Sequence, residues 1–392
     1  MINIEIEYFS LNRILLLTLG LWPYKQSNFT RFQFILLSSI LTTYVIFQYT
    51  IFISHRCTLT LIIKVLPSVF VFTLFVINYD MFYVNIKIMK NLLEQLLHTC
   101  NELSDENEIA IINEYGCNGK HYTVALTVLT ICSTFTVIIA SFWSDIFNMI
   151  SPTNASRSHH LLIITEYFID QEKYFYLIQF HFIASWCIGI IVTLAVGTML
   201  ITYLQYTCGM FKIASYRIEH SININTLQNI NQKDILILKG LICAVDIHRQ
   251  AMRLSKHLLS SFEMMMFCLI ALGVASVSLN LFRIFQVLSS KENIKELVMP
   301  LLYVTAAVLY MFLANYIGQT IINHNHHVFV TAYNVRWYIA PLYIQRTILF
   351  LLQRNTRNFT LNIGGLFVAS IEGFATLVKT SVSYFTVIYS TR

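Results

Sequence analysis

Charge is what this chain has least of. Only 12% of its 392 residues are Asp, Glu, Lys or Arg, about half the ~25% usual in soluble domains. At the same time 56% are hydrophobic, and mean hydropathy is +0.62. A soluble globular protein is excluded, and a polytopic membrane protein takes its place. Reaction motifs are missing too: no Gly-rich phosphate loop, no Gly-x-Ser-x-Gly elbow and no His-Glu-x-x-His occurs. Nothing argues for an enzyme or a cofactor. No Asp-Arg-Tyr closes the third apolar stretch and no Asn-Pro-x-x-Tyr lies in the seventh, as a G-protein-coupled receptor would have them. Internally repeated spans with broken helices, the mark of many transporters, are likewise absent.

Stretches of about 20 residues, long enough for ~30 Å of hydrocarbon, occur seven times. They lie near Phe32–Ile53, Val65–Val84, Tyr122–Phe147, Tyr174–Met210, Met264–Leu288, Val298–Ile322 and Ile363–Ile388. The second is the least secure, because Pro67, Asn78 and Asp80 lie in or beside it. Glu5 and Glu7 precede the short Ile14–Leu19 run and no small-residue cleavage site follows, so the first span is expected to double as the insertion signal. With the N-terminus inside, cytoplasmic segments hold 17 Lys and Arg and outer segments 8, with Lys379 inside a span. Positive charge stays in the cytoplasm, so the expected fold is all-α, with seven transmembrane helices, a cytoplasmic N-terminus and an extracellular C-terminus. That orientation is opposite to a G-protein-coupled receptor. Of eight cysteines only Cys57 then lies outside, which leaves no extracellular disulfide framework.

The cytoplasmic segments are the long ones. Lys87–Glu114 and Phe211–Glu263 carry spaced apolar residues, as helices continuing beyond the membrane would. Residues 323–362 are basic without a single acid, and Tyr338–Leu352 is apolar but too short to cross. A half-buried cytoplasmic helix that packs subunits together is one reading, and an amphipathic helix on the inner leaflet is the other. His324, His326 and His327 invite a metal site, but no acidic or cysteine partner lies near in sequence, and a polar end to the sixth span accounts for them. Asn154, in Asn154-Ala155-Ser156, is the glycosylation candidate if its loop is outside, whereas Asn28 and Asn358 would be cytoplasmic.

Two patterns point to function. In the last span Glu372, Thr376, Lys379, Ser383, Thr386 and Ser390 follow at i+3 or i+4 and share a helix face about 80° wide. Phe374, Leu377, Val378, Phe385 and Ile388 lie opposite. Such a stripe faces water or protein rather than lipid, and in several copies around an axis it is a pore wall. The second pattern is aromatic: 29 Phe and 22 Tyr make up most of a 14% aromatic content. Phe70, Phe72, Trp143, Phe175, Phe182, Trp186, Tyr303 and Tyr310 fall in the outer halves of the spans, with Thr73, Thr136, Ala140, Gln179 and Ala306 among them. Two readings stand: a pocket for small apolar molecules, or an aromatic belt at the lipid interface.

The C-terminal third is specific enough to name a resemblance. Asn315-Tyr-Ile-Gly-Gln319, Ala332-Tyr333, Trp337-Tyr338, Pro341, Gln345-Arg346, Gly364-Gly365 and Lys379-Thr-Ser-Val-Ser383-Tyr384-Phe385 resemble the closing pattern of insect odorant receptors. Asn12-Arg13 with Gly20-Leu-Trp-Pro23, and Glu166-Tyr167-Phe168 with Glu172-Lys173-Tyr174-Phe175, look like that family's earlier stretches.

The resemblance implies a subunit of a ligand-gated, non-selective cation channel, a tetramer of odour-tuning subunits and a shared co-receptor. It also implies a pore lined by the seventh span, a cytoplasmic anchor, and odorants held in the outer half between spans two, three, four and six. On position in the pattern Thr136, Ile139, Trp143, Phe182, Tyr303 and Tyr310 are expected at the ligand, with Phe70 and Thr73 beside them. The family narrows its pore on the outer side with apolar residues, so either Val387 turns inward as the gate, the preferred reading, or the co-receptor's helices supply the constriction and this chain a more polar quarter. The segment between spans four and five is shorter than the co-receptor's, so a tuning subunit is expected, in the plasma membrane of olfactory neurons. Residues 1–31 would be the cytoplasmic N-terminus, 32–322 six spans, 323–362 the anchor segment and 363–392 the pore span. Gustatory receptors end in Thr-Tyr, five apolar residues and Gln-Phe, whereas here Ser383-Tyr384 leads to Ser390-Thr391; a gustatory-type channel is the alternative, and a metabotropic seven-helix receptor a more distant one.

Overall fold

A computed structural model of the chain describes residues 9–54, 56–143, 162–222, 230–290, 294–354 and 359–390. Asn154, His159, His160 and Asn358 lie outside the described residues. The rest is almost wholly helical: α1 (Ser10–Thr18), α2 (Asn28–Tyr49), α3 (Leu59–Val84), α4 (Ile86–Asn101), α5 (Glu106–Ser141), α6 (Phe175–Ile222), α7 (Ile230–Ser261), α8 (Glu263–Ser290), α9 (Val298–Asn334), α10 (Leu342–Arg354) and α11 (Ile371–Ser390). Ser27 and Thr30 form a capping box at the start of α2, and Thr58 and Asp105 cap α3 and α5. The boundaries are thus written locally. Pro67 sits inside α3 without ending it.

Among the described residues six helices are long and apolar enough to cross a membrane: Asn28–Ser54, Thr60–Val84, Glu106–Ser141, Phe175–Ile222, Glu263–Ser289 and Val298–Asn334. The chain is an all-α polytopic membrane protein. α11 has 20 residues, about 30 Å of helix and enough to span, but it is not among the six because its polar stripe dilutes its hydropathy. The 48 residues of α6 extend ~72 Å at 1.5 Å per residue, well beyond any bilayer. α6 is the post of the molecule, packed by α1, α2, α3, α5, α7 and α9. Val192, Ala195, Val196, Met199, Tyr203, Tyr206 and Phe211 along it are all fully buried.

Beyond the apolar stretches the helices are joined by polar bonds. Arg217 of α6 grips Glu108 of α5 with Nε and Nη2 at 2.6 and 2.8 Å, and its Nη1 donates to the Cys243 carbonyl of α7 at 3.2 Å. The Glu108 hydrogen bonds push the Arg217 pKa further up and hold it charged. The histidines expected at the end of the sixth span do similar work. His324 Nδ1 donates to Thr320 O (2.8 Å), and its Nε2 accepts from Tyr115 Oη of α5 (2.6 Å). His327 lies 3.2 Å from Ser215 of α6, and Asn325 takes His248 of α7 at 2.9 Å.

The expected anchor segment is a 3-10 turn at Trp337–Ile339 followed by α10, which Pro341 introduces. Ile344, Ile348 and Leu351 of α10 are buried, whereas Tyr338, Ile339, Leu342, Tyr343, Leu349 and Phe350 are exposed. A two-stranded hairpin, Asn362–Ile363 against Phe367–Val368, turns at Gly364-Gly365 and leads into α11.

Candidate functional site

The aromatic residues of α2, α3, α6 and α9 converge. Tyr44 of α2 lies 4.5 Å from Phe72 of α3, ring centre to ring centre, and 6.0 Å from Phe182 of α6. Phe72 and Phe75 flank Trp186 at 6.4 and 6.1 Å, and Trp186 meets Tyr303 of α9 at 6.1 Å. Helical repeat explains the convergence: Phe72, Phe75 and Tyr79 share one face of α3, and Gln179, Phe182 and Trp186 share one face of α6. Gly189 lets them close up, since a Cβ there would stand 2.0 Å from the Phe75 ring. Phe182, Trp186 and Tyr303 are each 5% exposed or less.

Within this apolar cluster three polar atoms have no partner among the described residues: Gln179 Nε2, Trp186 Nε1 and Tyr303 Oη. Each unmade hydrogen bond at a buried group costs about 1–3 kcal/mol. Tyr303 Oη and Trp186 Nε1 belong to neighbouring rings, and Gln179 lies two turns along α6, ~10 Å away. All three can donate. Beside the cluster, Tyr167 stacks on Phe47 at 4.1 Å and hydrogen-bonds His181 at 2.7 Å, and Thr50 donates to Glu166 O at 2.7 Å. This pins the Glu166-Tyr167-Phe168 stretch to the end of α2.

The residues expected at a ligand are brought together only in part. Phe182 and Tyr303 are in the cluster. Thr73 follows Phe72, half-buried, with its hydroxyl unpartnered. Tyr310 is two turns from Tyr303, where a Cβ on Gly197 of α6 would lie 3.6 Å from its ring. Phe70 is half-buried on the far side of α3 from Phe72. Thr136, Ile139 and Trp143 are exposed, the last two at 50% and 44%. In α5 the inward positions are Val137 and Ser141, the latter with an unpartnered Oγ. Tyr44, Phe75 and Ser141 were not anticipated. Phe75 was within reach of the i, i+3 pattern that starts at Phe72.

The stripe of α11 faces away from its own subunit. Glu372, Thr376, Lys379, Ser383, Thr386, Val387 and Ser390 are all exposed, and Leu377 and Ser381 opposite them are buried. Ser278 of α8 donates to Ser381 O at 3.0 Å, and Phe285 packs on Phe385 and Tyr389 at 6.3 and 4.9 Å. Thr376, Thr386 and Ser390 donate their hydroxyl protons to their own helix carbonyls. What they present outward is therefore oxygen lone pairs.

The first turn of α11 is held by α9. Asn315 Oδ1 accepts from Ser370 N at 3.2 Å and Gln319 Oε1 from Ile371 N at 3.4 Å. These satisfy backbone donors that a helix start leaves open. Gly318 between them lets the connector in: a Cβ there would stand 2.5 Å from both Cβ and O of Ala369. This is the geometry behind the Asn315-Tyr-Ile-Gly-Gln319 run. One helix thus bears Tyr303 in the aromatic cluster and, three to four turns on, the clasp on α11.

Comparison with known proteins identifies the family and the fold. Residues 58–382 match the family model described as 7tm odorant receptor. The fold is similar to that of the insect olfactory receptor OR5 from Machilis hrabei, with a TM-score of 0.80, 13% identity and 98% of both chains covered. It is equally similar to the same receptor in complex with eugenol, at a TM-score of 0.79, 14% identity and 98% of both chains. Among curated proteins none matches. A match across most of the chain, on a fold shared end to end, places this protein in the 7tm odorant receptor family.

Proposed function

We propose that the chain is an odour-tuning subunit of a ligand-gated, non-selective cation channel in the plasma membrane of olfactory sensory neurons, assembled with a co-receptor as a heterotetramer. The observation that carries the ligand half is the set of unpartnered donors on Gln179, Trp186 and Tyr303 inside an aromatic cluster. A small apolar volatile with one acceptor oxygen would fill them, gaining area burial and a hydrogen bond together. The pocket is built on Tyr44, Phe72, Phe182, Trp186 and Tyr303, with Thr73 and Tyr310 at its margins. Val137 and Ser141 are its α5 wall, in place of Thr136, Ile139 and Trp143.

The channel half rests on the outward stripe of α11. Four such helices around an axis would line a path with carbonyl-satisfied hydroxyls, Glu372 and Lys379, and Val387 supplies the apolar narrowing near the outer end. The exposed apolar side of α10 is the packing surface between cytoplasmic anchors, and residues 1–31, 32–322, 323–362 and 363–392 are N-terminus, spans, anchor and pore segment. Ligand reaches the pore through α9, whose Asn315 and Gln319 hold the start of α11.

The test is current. Cells co-expressing the chain and a co-receptor, given volatile ketones, esters and phenol ethers alongside hydrocarbons of equal size, should pass inward cation current to the oxygenated set. Surface expression with no current to any of them would sink the proposal.

A further inference from the structure

A cleft that the proposed function does not use opens between α5, α6 and α9, about 500 Å³ in volume. Glu114, Tyr115 and Tyr122 of α5 face Tyr316 and His324 of α9 across it, and Gln205 of α6 closes it behind. Gln205 is 5% exposed and its amide has no hydrogen-bond partner among the described residues. The amide lines the cleft, where a ligand can reach it.

The lining selects by charge. No lysine or arginine lines the cleft. Its two histidines are His121 and His324, the latter held by Thr320 O at Nδ1 and by Tyr115 Oη at Nε2. Glu114 is exposed and has no ion-pair partner among the described residues, in contrast to Glu108, which Arg217 neutralises. Against the imidazoles of His121 and His324 stand one carboxylate, three tyrosine rings and an amide oxygen, which favour a cation over an anion. Ring faces attract a cation within about 6 Å of their centres, and alkylated ammonium ions are held this way.

We propose that this cleft binds an organic ammonium group, with Glu114 as counter-charge, Tyr122 and Tyr316 as ring walls and Gln205 as the buried acceptor. Two sources share that chemistry: a soluble amine, or the amine headgroup of a membrane lipid. The site is separate from the aromatic cluster, and its test does not depend on odour response.

The full chain would be reconstituted in phosphatidylglycerol nanodiscs and its melting temperature followed against benzyltrimethylammonium. Its neutral isostere neopentylbenzene and the anion benzenesulfonate serve as controls. The cation alone should protect, and Glu114→Gln should raise its half-saturating concentration about tenfold while leaving the ligand-free melting temperature unchanged. Tyr316→Ala should weaken binding similarly, with Tyr316→Phe retaining most of it. Equal protection by the neutral isostere, preference for the anion, or no effect of Glu114→Gln would each overturn the assignment. Adding phosphatidylethanolamine to the discs separates the sources. Competition with the probe assigns a lipid headgroup, lack of competition a soluble amine, and both outcomes uphold an ammonium site.

Discussion

Tyr303 carries two consequences that pull in opposite directions. Its hydroxyl is buried and unpartnered, so removing it in Tyr303→Phe relieves a desolvation cost of about 1 kcal/mol and should raise the melting temperature of the ligand-free receptor. The same change removes a donor for the odorant. Dose–response curves should shift at least several-fold to higher concentration for oxygenated odorants and much less for hydrocarbons. A variant that is both less stable and unchanged in tuning would place the ligand elsewhere. Side-chain direction is also where the sequence was hardest to read. Trp186 and Tyr303 stood out by size, but Thr136 and Ile139 were placed inward when Val137 and Ser141 are. α5 is 36 residues long and apolar on most sides through its membrane half, so hydrophobicity names no inner face there. Only packing against α6 decides it.

At the scale of elements, the clasp between α9 and α11 is the part most exposed to mutation. Asn315→Ala removes the acceptor for Ser370 N and should cost about 1 kcal/mol, the usual worth of a helix-start cap. If α9 carries the ligand signal, peak current should fall further than surface expression does, measured by patch clamp alongside surface labelling. Gly318→Ala puts a methyl 2.5 Å from Ala369, and overpacking of this kind typically costs about 1–3 kcal/mol. It should be the more damaging of the two. On the stripe, Val387→Ser should raise background current or change ion preference; unchanged values in both would move the gate elsewhere. The stripe itself was legible because a 3.6-residue period shows in any amphipathic helix. The clasp was not: its bonds join residues 52 and 55 positions apart, and Asn315 and Gln319 announced themselves only as parts of a pattern.

The whole molecule is held in two unlike ways, by apolar packing along the full length of α6 and by hydrogen-bonded side chains added between the helices, as at Arg217 and Glu108. Glu108→Gln tests the second. Glu108 is nearly buried and Arg217 about a quarter exposed, so stranding the guanidinium should cost ~2 kcal/mol, less than the 3–5 of a fully buried pair. A lower melting temperature in detergent, at unchanged odour tuning, is the expected result. Overall orientation is checked by a C-terminal tag, which should be reached by antibody on unpermeabilised cells. Most of the architecture followed from composition, because lipid leaves few solutions other than helices. Helix ends did not follow from it. The apolar stretch ends near Met210 and its spacing beyond that reads as continuing helix, which α6 is as far as Ile222, but where that continuation stops depends on which partners its apolar side finds.

The clasp on α11 is made to backbone N–H groups of Ser370 and Ile371 rather than to side chains of that helix. Every amino acid but proline supplies the same donor. Substitutions along the stripe therefore leave the grip of α9 untouched, and those around Tyr303 leave it untouched from the other side. On the proposed function, odour preference and ion preference are then free to drift independently within one receptor lineage, so long as Asn315, Gly318 and Gln319 stay where they are.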